Sequence, residues 1–239
     1  MKQHSLLRRI YFWYRERYFW KLKKQSVKEI FSDIYKNNDW GGEPGEFYSG
    51  DGTYSPNIPL YVNLVESLIK EKNIQSVLDI GCGDFRVMSQ VVEKVDINYT
   101  GADVVPDLIK RNQEKFANAR IQFMELNAVD DELPKADLVT IRQVLQHLSN
   151  DQITKILGKL KAFKYVLITE HVLIGDDVVP NYDKIPGPHI RSRSFSGVFI
   201  DQPPFNIKNS KVVLDIREDE PIKGKLHPAM IRSYLVENK

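Results

Sequence analysis

Apolar residues in this chain recur at two different spacings, and each change of spacing marks a change of element. The runs "SVLDI" (76–80), "YTGAD" (99–103), "IQFMEL" (121–126), "ADLVTI" (136–141) and "YVLITEH" (165–171) have the length and composition of buried strands. The stretches 86–94, 106–117 and 150–161 read as helices between them. Strands separated by helices at this interval predict βαβ units and a parallel sheet. Upstream, Leu60, Tyr61, Leu64, Val65, Leu68 and Ile69 recur at helical spacing and predict a helix over 58–72 with one apolar face. At the other end, "KVVLDIRE" (211–218) and "AMIRSYLVE" (229–237) are strand-like runs joined by a segment with Pro and Gly, which suits a closing antiparallel pair. Residues 37–56 are rich in Gly, Asn, Ser and Pro and read as a loop, with Trp40, Phe47 and Tyr48 available to pack it.

The first segment, "LLRRIYFWYRERYFWKLKK", interleaves aromatics with cations. Two readings fit it: an interfacial helix on a membrane or partner surface, or a helix packed on its own domain with aromatics buried and cations solvated. Charge sharpens the picture. The chain of 239 residues carries +2 overall, but its first thirty residues carry +7 and the remainder −5. With no second basic stripe outside that end, the pattern argues against a nucleic-acid partner. A single cysteine, Cys82, excludes an internal disulfide and a multi-cysteine zinc site. The basic N-terminus lacks a continuous apolar run, so a cytoplasmic protein is expected, with the first thirty residues offering peripheral membrane contact.

The candidate chemistry begins at the end of the first predicted strand. Gly81-Cys82-Gly83 is a Gly-x-Gly turn that lets backbone approach a ligand, and Asp103 ends the second strand 22 residues after Gly81. That is the spacing of an acid that accepts ribose hydroxyls. Position 86 is Arg, where the dinucleotide pattern has a third glycine, and Asp79 would repel a pyrophosphate. The residues therefore indicate a nucleoside-type cofactor and weigh against an NAD(P)-dependent oxidoreductase, which stays as an alternative.

Here the chain resembles the class I S-adenosylmethionine-dependent methyltransferases. "VLDIGCGDF" is similar to their first motif, "YTGADVVPDLI" to their second, and "FMELNAVDDELPKADLVTIRQVLQHLS" to their third and fourth. The resemblance implies a Rossmann-like, doubly wound, mostly parallel seven-stranded sheet with a C-terminal antiparallel hairpin and an N-terminal helical extension. The expected organisation is an N-terminal helix and capping loop over 1–57 and the methyltransferase domain over 58–239. It implies S-adenosyl-L-methionine as cofactor. Asp79 would hold its methionine end, Gly81 and Gly83 would allow its approach, and Asp103 would take the ribose. Val104 would pack on the adenine, Asn127 and Ala128 would meet the base edge, and Arg142 and Gln143 would sit beside the sulfonium end. Two departures stand out: Phe85 occupies a position where many members keep a glycine, and Asn127 one where Asp is common. "IYKNNDWGGEPGEFYSGDGTY" and "GPHIRSRSFSGVFIDQPPF" also look like segments of a bacterial branch that modifies small molecules or glycans.

A methyl donor carries the difficult chemistry itself, and the protein positions the acceptor; a hydroxyl acceptor gains from a general base. His147, His171 and His189 are the candidates, each expected at the ligand edge. Arg191 and Arg193 with Ser192, Ser194 and Ser196 suit either a phosphate or a solvated loop. No metal site is expected. The sequence reading is thus a methyltransferase acting on an oxygen, or less favourably a nitrogen, of a small polar acceptor such as a sugar, sugar conjugate or sugar phosphate. A non-catalytic adaptor of the same fold, docking through residues 1–30, is the other alternative.

Overall fold

The structure is a computed structural model that describes residues 3–238; Met1, Lys2, Lys239 and the side chain of Tyr18, all included in the readings above, lie outside the described residues. Among the described residues nine strands run in chain order: β1 (Ser76–Ile80), β2 (Asn98–Asp103), β3 (Ile121–Glu125), β4 (Leu138–Arg142), β5 (Tyr165–Leu173), β6 (Ser210–Arg217), β7 (Glu220–Ile222), β8 (Lys225–His227) and β9 (Ala229–Glu237). Seven of them form one sheet in the order 3-2-1-4-5-9-6, with β1 to β5 parallel and β9 antiparallel to both neighbours. The chain winds outward from β1 to β3 and then returns to β4. Strand order therefore reverses between β1 and β4, and a crevice opens beyond their carboxyl ends.

The period of two along each strand builds the layers. Leu78, Ile80, Val139, Ile141, Val166, Ile168, Tyr234 and Val236 share one core, while Val77, Leu138, Leu167 and Leu235 share the other. The second core is covered by α3 (Ile58–Lys72), α4 (Arg86–Val92) and the Ile109 side of α5 (Pro106–Phe116). The first is covered by α2 (Val27–Lys36) and α6 (Asn150–Leu160), each started by a Ser capping box, Ser26 with Glu29 and Ser149 with Gln152. So α2, which lies N-terminal to residue 58, packs into the same core as the sheet. On α3 the buried stripe is Tyr61, Val62, Val65, Leu68 and Ile69, whereas Leu60, assigned to the apolar face from spacing, is exposed.

The N-terminal segment is α1 (Leu6–Glu16) followed by a tighter 3-10 stretch over Arg17–Lys24. Of its aromatics Phe12 is buried, while Tyr11, Trp13, Tyr14 and Trp20 are exposed, so the expectation of buried aromatics and solvated cations does not hold there. The segment joining β6 and β9, expected as a plain turn region, contains the small β7–β8 hairpin. Its two turn residues, Lys223 and Gly224, both have positive φ (50° and 75°), as a tight hairpin turn requires.

Between β5 and β6, residues 174–209 cross the molecule with one 3-10 turn, Arg191–Ser194. Asn181 pins this segment by donating to Phe199 O (2.8 Å) and Pro203 O (2.9 Å) and accepting from Phe199 N (2.8 Å). Arg191 corrects the sequence reading. It is 1% exposed and donates to the carbonyls of Tyr182 (2.6 Å) and Leu148 (2.7 Å), so it is neither a phosphate ligand nor a solvated residue. Ser192, Ser194 and Ser196 are buried as well.

Candidate active site

A cleft of about 630 Å³ lies at the switch point, between the ends of β1, β2 and β4 and the segments that cover them. All twelve residues assigned from sequence to the cofactor or to base catalysis line it: Asp79, Gly81, Gly83, Asp103, Val104, Asn127, Ala128, Arg142, Gln143, His147, His171 and His189.

Its floor is the turn after β1. Gly81 (φ +73°) and Gly83 (φ +54°) take left-handed backbone that other residues adopt at a cost. A Cβ at Gly81 would lie 2.3 Å from Val144 Cγ2, and one at Gly83 2.6 Å from Ser49 Oγ. The amides of Gly81 and Cys82 both donate to Ala102 O at the end of β2. Beneath them, buried Asp79 accepts hydroxyl hydrogen bonds from Thr140 (2.6 Å) and Tyr99 (2.8 Å), tying β1 to both neighbouring strands. Burial raises its carboxyl, and the two hydroxyls oppose that rise. Cys82 is a thiol pushed well above its ordinary range, first by burial and then by Asp103 and Asp79. That environment suits an inert filler.

Asp103 accepts from the amides of Gly83 (3.3 Å) and Val105 (3.2 Å), one on each carboxylate oxygen. Each oxygen keeps a second lone pair for a hydroxyl. Burial pushes this carboxyl up to about 6, against the pull of the amides. Farther along the rim, Asn127 closes a turn: its Oδ1 accepts from Val129 N (3.1 Å) and its Nδ2 donates to Asp130 (3.0 Å).

The opposite wall follows β4. The Arg142 guanidinium donates to Gly52 O (2.8 Å) and lies 5.3 Å from the Tyr61 ring, while its Nε is buried without a partner. Gln143 has φ +56° and donates from its backbone to Thr169 O (2.7 Å). The next turn is held from below by Glu170, fully buried, which accepts from the amides of Val144 (3.1 Å), Leu145 (2.8 Å) and Gln146 (3.1 Å). Burial pushes this carboxyl up to about 8, although three amides act in the other direction.

The three histidines differ sharply. His147 is buried against Trp40 and Phe31 with Nδ1 on Gly187 O (3.2 Å), and burial lowers it to about 3. His189 is lowered to about 4 by burial and the nearby cations, Arg193 first among them. His171 places Nε2 at 3.2 Å from Glu218 O and 4.0 Å from the Glu220 carboxylate, while its Nδ1 is buried without a hydrogen-bond partner.

The cover of the cleft holds residues whose roles the chain pattern did not reveal. Ser49 Oγ accepts from Asp84 N (2.8 Å) and meets Tyr35 OH (2.9 Å), fastening the Gly-rich loop onto the floor. Trp40 Nε1 donates to Pro188 O (3.0 Å), joining that loop to the late segment. The available signal was the Ser-Gly-Asp-Gly run at 49–52, which lies inside a stretch read as a loop.

With this geometry in view, the sheet order and the cleft define a class I methyltransferase fold. Residues 78–163 match the model of a methyltransferase domain family, which together with the sheet order supports a class I S-adenosylmethionine-dependent methyltransferase. An uncharacterized methyltransferase of Mycobacterium tuberculosis (strain ATCC 25618 / H37Rv) is 32% identical over 78 residues, which are 32% of this chain and 39% of that protein. The match thus spans well under half of the curated relative's length. Solved structures share the fold, two of them as follows. The N-terminal domain of EvdMO1 with SAH bound has a TM-score of 0.55 at 10% identity, covering 90% of this chain and 98% of its own. Magnesium protoporphyrin IX methyltransferase (ChlM) from Synechocystis PCC 6803, solved with SAM bound, has a TM-score of 0.52 at 14% identity, covering 89% and 98%. The antiparallel β9, inserted between β5 and β6, also departs from the 3-2-1-4-5-6 order of dinucleotide-binding sheets, which sets the oxidoreductase alternative aside.

Proposed function

We propose that the protein transfers the methyl group of S-adenosylmethionine to an oxygen of a small polar acceptor, with sugars and sugar conjugates as the favoured class. The donor set fits the cofactor. Asp103 has lone pairs for two ribose hydroxyls, Gly81 and Gly83 leave room for backbone approach, and Val104 and Ala128 offer apolar surface to a base. When bound, S-adenosylmethionine supplies a methyl carbon already activated on a sulfonium. Arg142, Gln143 and the turn held by Glu170 would then border the reacting end.

The oxygen acceptor rests on His171. With Nε2–H donating to Glu218 O, the free lone pair is on Nδ1, the buried atom without a partner. That nitrogen would take the acceptor hydroxyl proton as the methyl–oxygen bond forms, and Glu220 beside Nε2 would steady the resulting imidazolium. His147 and His189, held neutral by burial, serve as walls. The segments 49–53 and 188–193 would keep water from the reaction. The same reading places the protein in the cytoplasm, consistent with a lone cysteine.

The test is a screen of sugars, nucleotide sugars and phenols with methyl-labelled S-adenosylmethionine, alongside calorimetric titration of the cofactor. Cofactor binding with label moving to a hydroxyl supports the proposal. Absence of cofactor binding, or label found only on nitrogen, overturns it.

A further inference from the structure

Helix α1 is mounted inside out. Arg8, Phe12 and Arg15, spaced at i, i+4 and i+7, form the stripe that faces the protein. Arg8 reaches Asp177 (3.3 Å), Arg15 donates to Arg193 O (2.7 Å) and Ser194 Oγ (2.6 Å), and Phe12 packs on Tyr182 (ring centroids 5.5 Å). The opposite face carries Leu6, Ile10 and Trp13 at the same spacing, flanked by Leu7 and Tyr14, with Trp20 following in the 3-10 stretch. Leu7 is 80% exposed, Leu6 69% and Trp13 58%, and Trp13 and Trp20 meet edge to face at 5.5 Å. A helix on a globular surface ordinarily turns its apolar stripe inward. Here charge and one ring face inward, and a contiguous apolar patch faces out.

We infer that this face seats the protein on an anionic lipid surface. Charge selects that occupant. Arg9, Lys21, Lys23 and Lys24 of the same segment are exposed, and the first thirty residues carry +7 against −5 for the rest. An anionic bilayer attracts such an end and repels the acidic body, which orients the molecule. A second copy of this chain would bring two +7 ends together and meet repulsion. Exposed tryptophans in an apolar patch, with exposed Lys and Arg in the same segment, match the headgroup boundary. At eleven residues α1 is far short of the roughly 20 needed to span a bilayer, so it lies in the surface plane. The docking stretch adjoins the cleft, because the Phe19 ring contacts that of His189 at 5.0 Å. The inference stands independently of the methyl-transfer reading.

Flotation of the full chain with vesicles tests it, using phosphatidylcholine alone and phosphatidylcholine with about one third phosphatidylglycerol. The expected result is binding to the anionic vesicles only, weakened by salt, with a blue shift of tryptophan emission. The double change Leu7→Ser/Trp13→Ser should weaken binding more than about tenfold. Lys21→Glu/Lys24→Glu should weaken it by at least about 20-fold, roughly fivefold per cation removed. All these positions are exposed, so melting temperatures should stay near wild type. No binding to anionic vesicles, or equal binding to neutral ones, overturns the inference. So does a micromolar dimer by sedimentation velocity that the Leu7/Trp13 change dissolves.

Discussion

Ser49 Oγ accepts a 2.8 Å hydrogen bond from the backbone amide of Asp84, 35 residues away, and so ties the covering loop to the turn that forms the cleft floor. Gly83 lies beneath this contact, where a Cβ would fall 2.6 Å from the same oxygen. Ser49→Ala is expected to lower stability by about 1 kcal/mol and to weaken cofactor binding severalfold. Gly83→Ala adds strain at φ +54° to the clash and should abolish binding. Calorimetry on both variants checks this; unchanged affinity in Gly83→Ala would contradict the floor assignment.

Asp103 gives a pH dependence with a defined sign. Its carboxyl is raised to about 6 in the folded protein, and in the proposed cofactor site the ionised form is the one that would accept ribose hydroxyls. Affinity for S-adenosylmethionine should therefore be full above pH 7 and fall as pH drops through 6. An acid raised on folding loses its contribution to stability as pH climbs from its unfolded to its folded value, so at neutral pH ionised Asp103 costs the free protein stability. Asp103→Asn should accordingly melt no lower than wild type at pH 7.5, yet bind at least about tenfold more weakly and without the pH 6 step. Titrations at several pH values separate these effects, and a persisting step in the variant would assign it elsewhere.

His171→Gln tests the base directly. Turnover should fall about 100-fold or more while cofactor affinity stays near wild type. A loss confined to KM would make His171 a binding residue instead.

Glu170 supports the turn that carries His147. Glu170→Ala would leave three amides without an acceptor in a buried site, at a cost of at least about 3 kcal/mol. Urea unfolding measures it; a change below about 1 kcal/mol would mean that water replaces the carboxylate.

Phe85 shows packing overriding backbone preference. It takes φ +67°, a conformation suited to glycine, yet its ring is buried among Tyr99, Phe116 and Phe123. Phe85→Gly would relieve about 1 kcal/mol of strain and lose about 3–4 kcal/mol of ring burial. A net loss of about 2–3 kcal/mol is expected in thermal or denaturant unfolding.

The sequence by itself determined the sheet's elements and which residues line the cleft. Period-two runs, Gly-x-Gly and a strand-terminal acid are local signals, and a parallel sheet places every strand's carboxyl end on one edge. That is why twelve residues chosen from the chain meet in one cleft. The tertiary structure alone decided whatever depends on distant partners. It spends Arg191 on the carbonyls of Tyr182 and Leu148, although its sequence neighbourhood reads as a phosphate loop. It distinguishes His171 from His147 and His189 by which ring nitrogen has a partner. It turns α1 so that Arg8 and Arg15 face inward, because their hydrogen-bond acceptors lie 169 and 179 residues downstream. Helical periodicity separates the two faces of α1, and only the surface beneath it decides which one is buried.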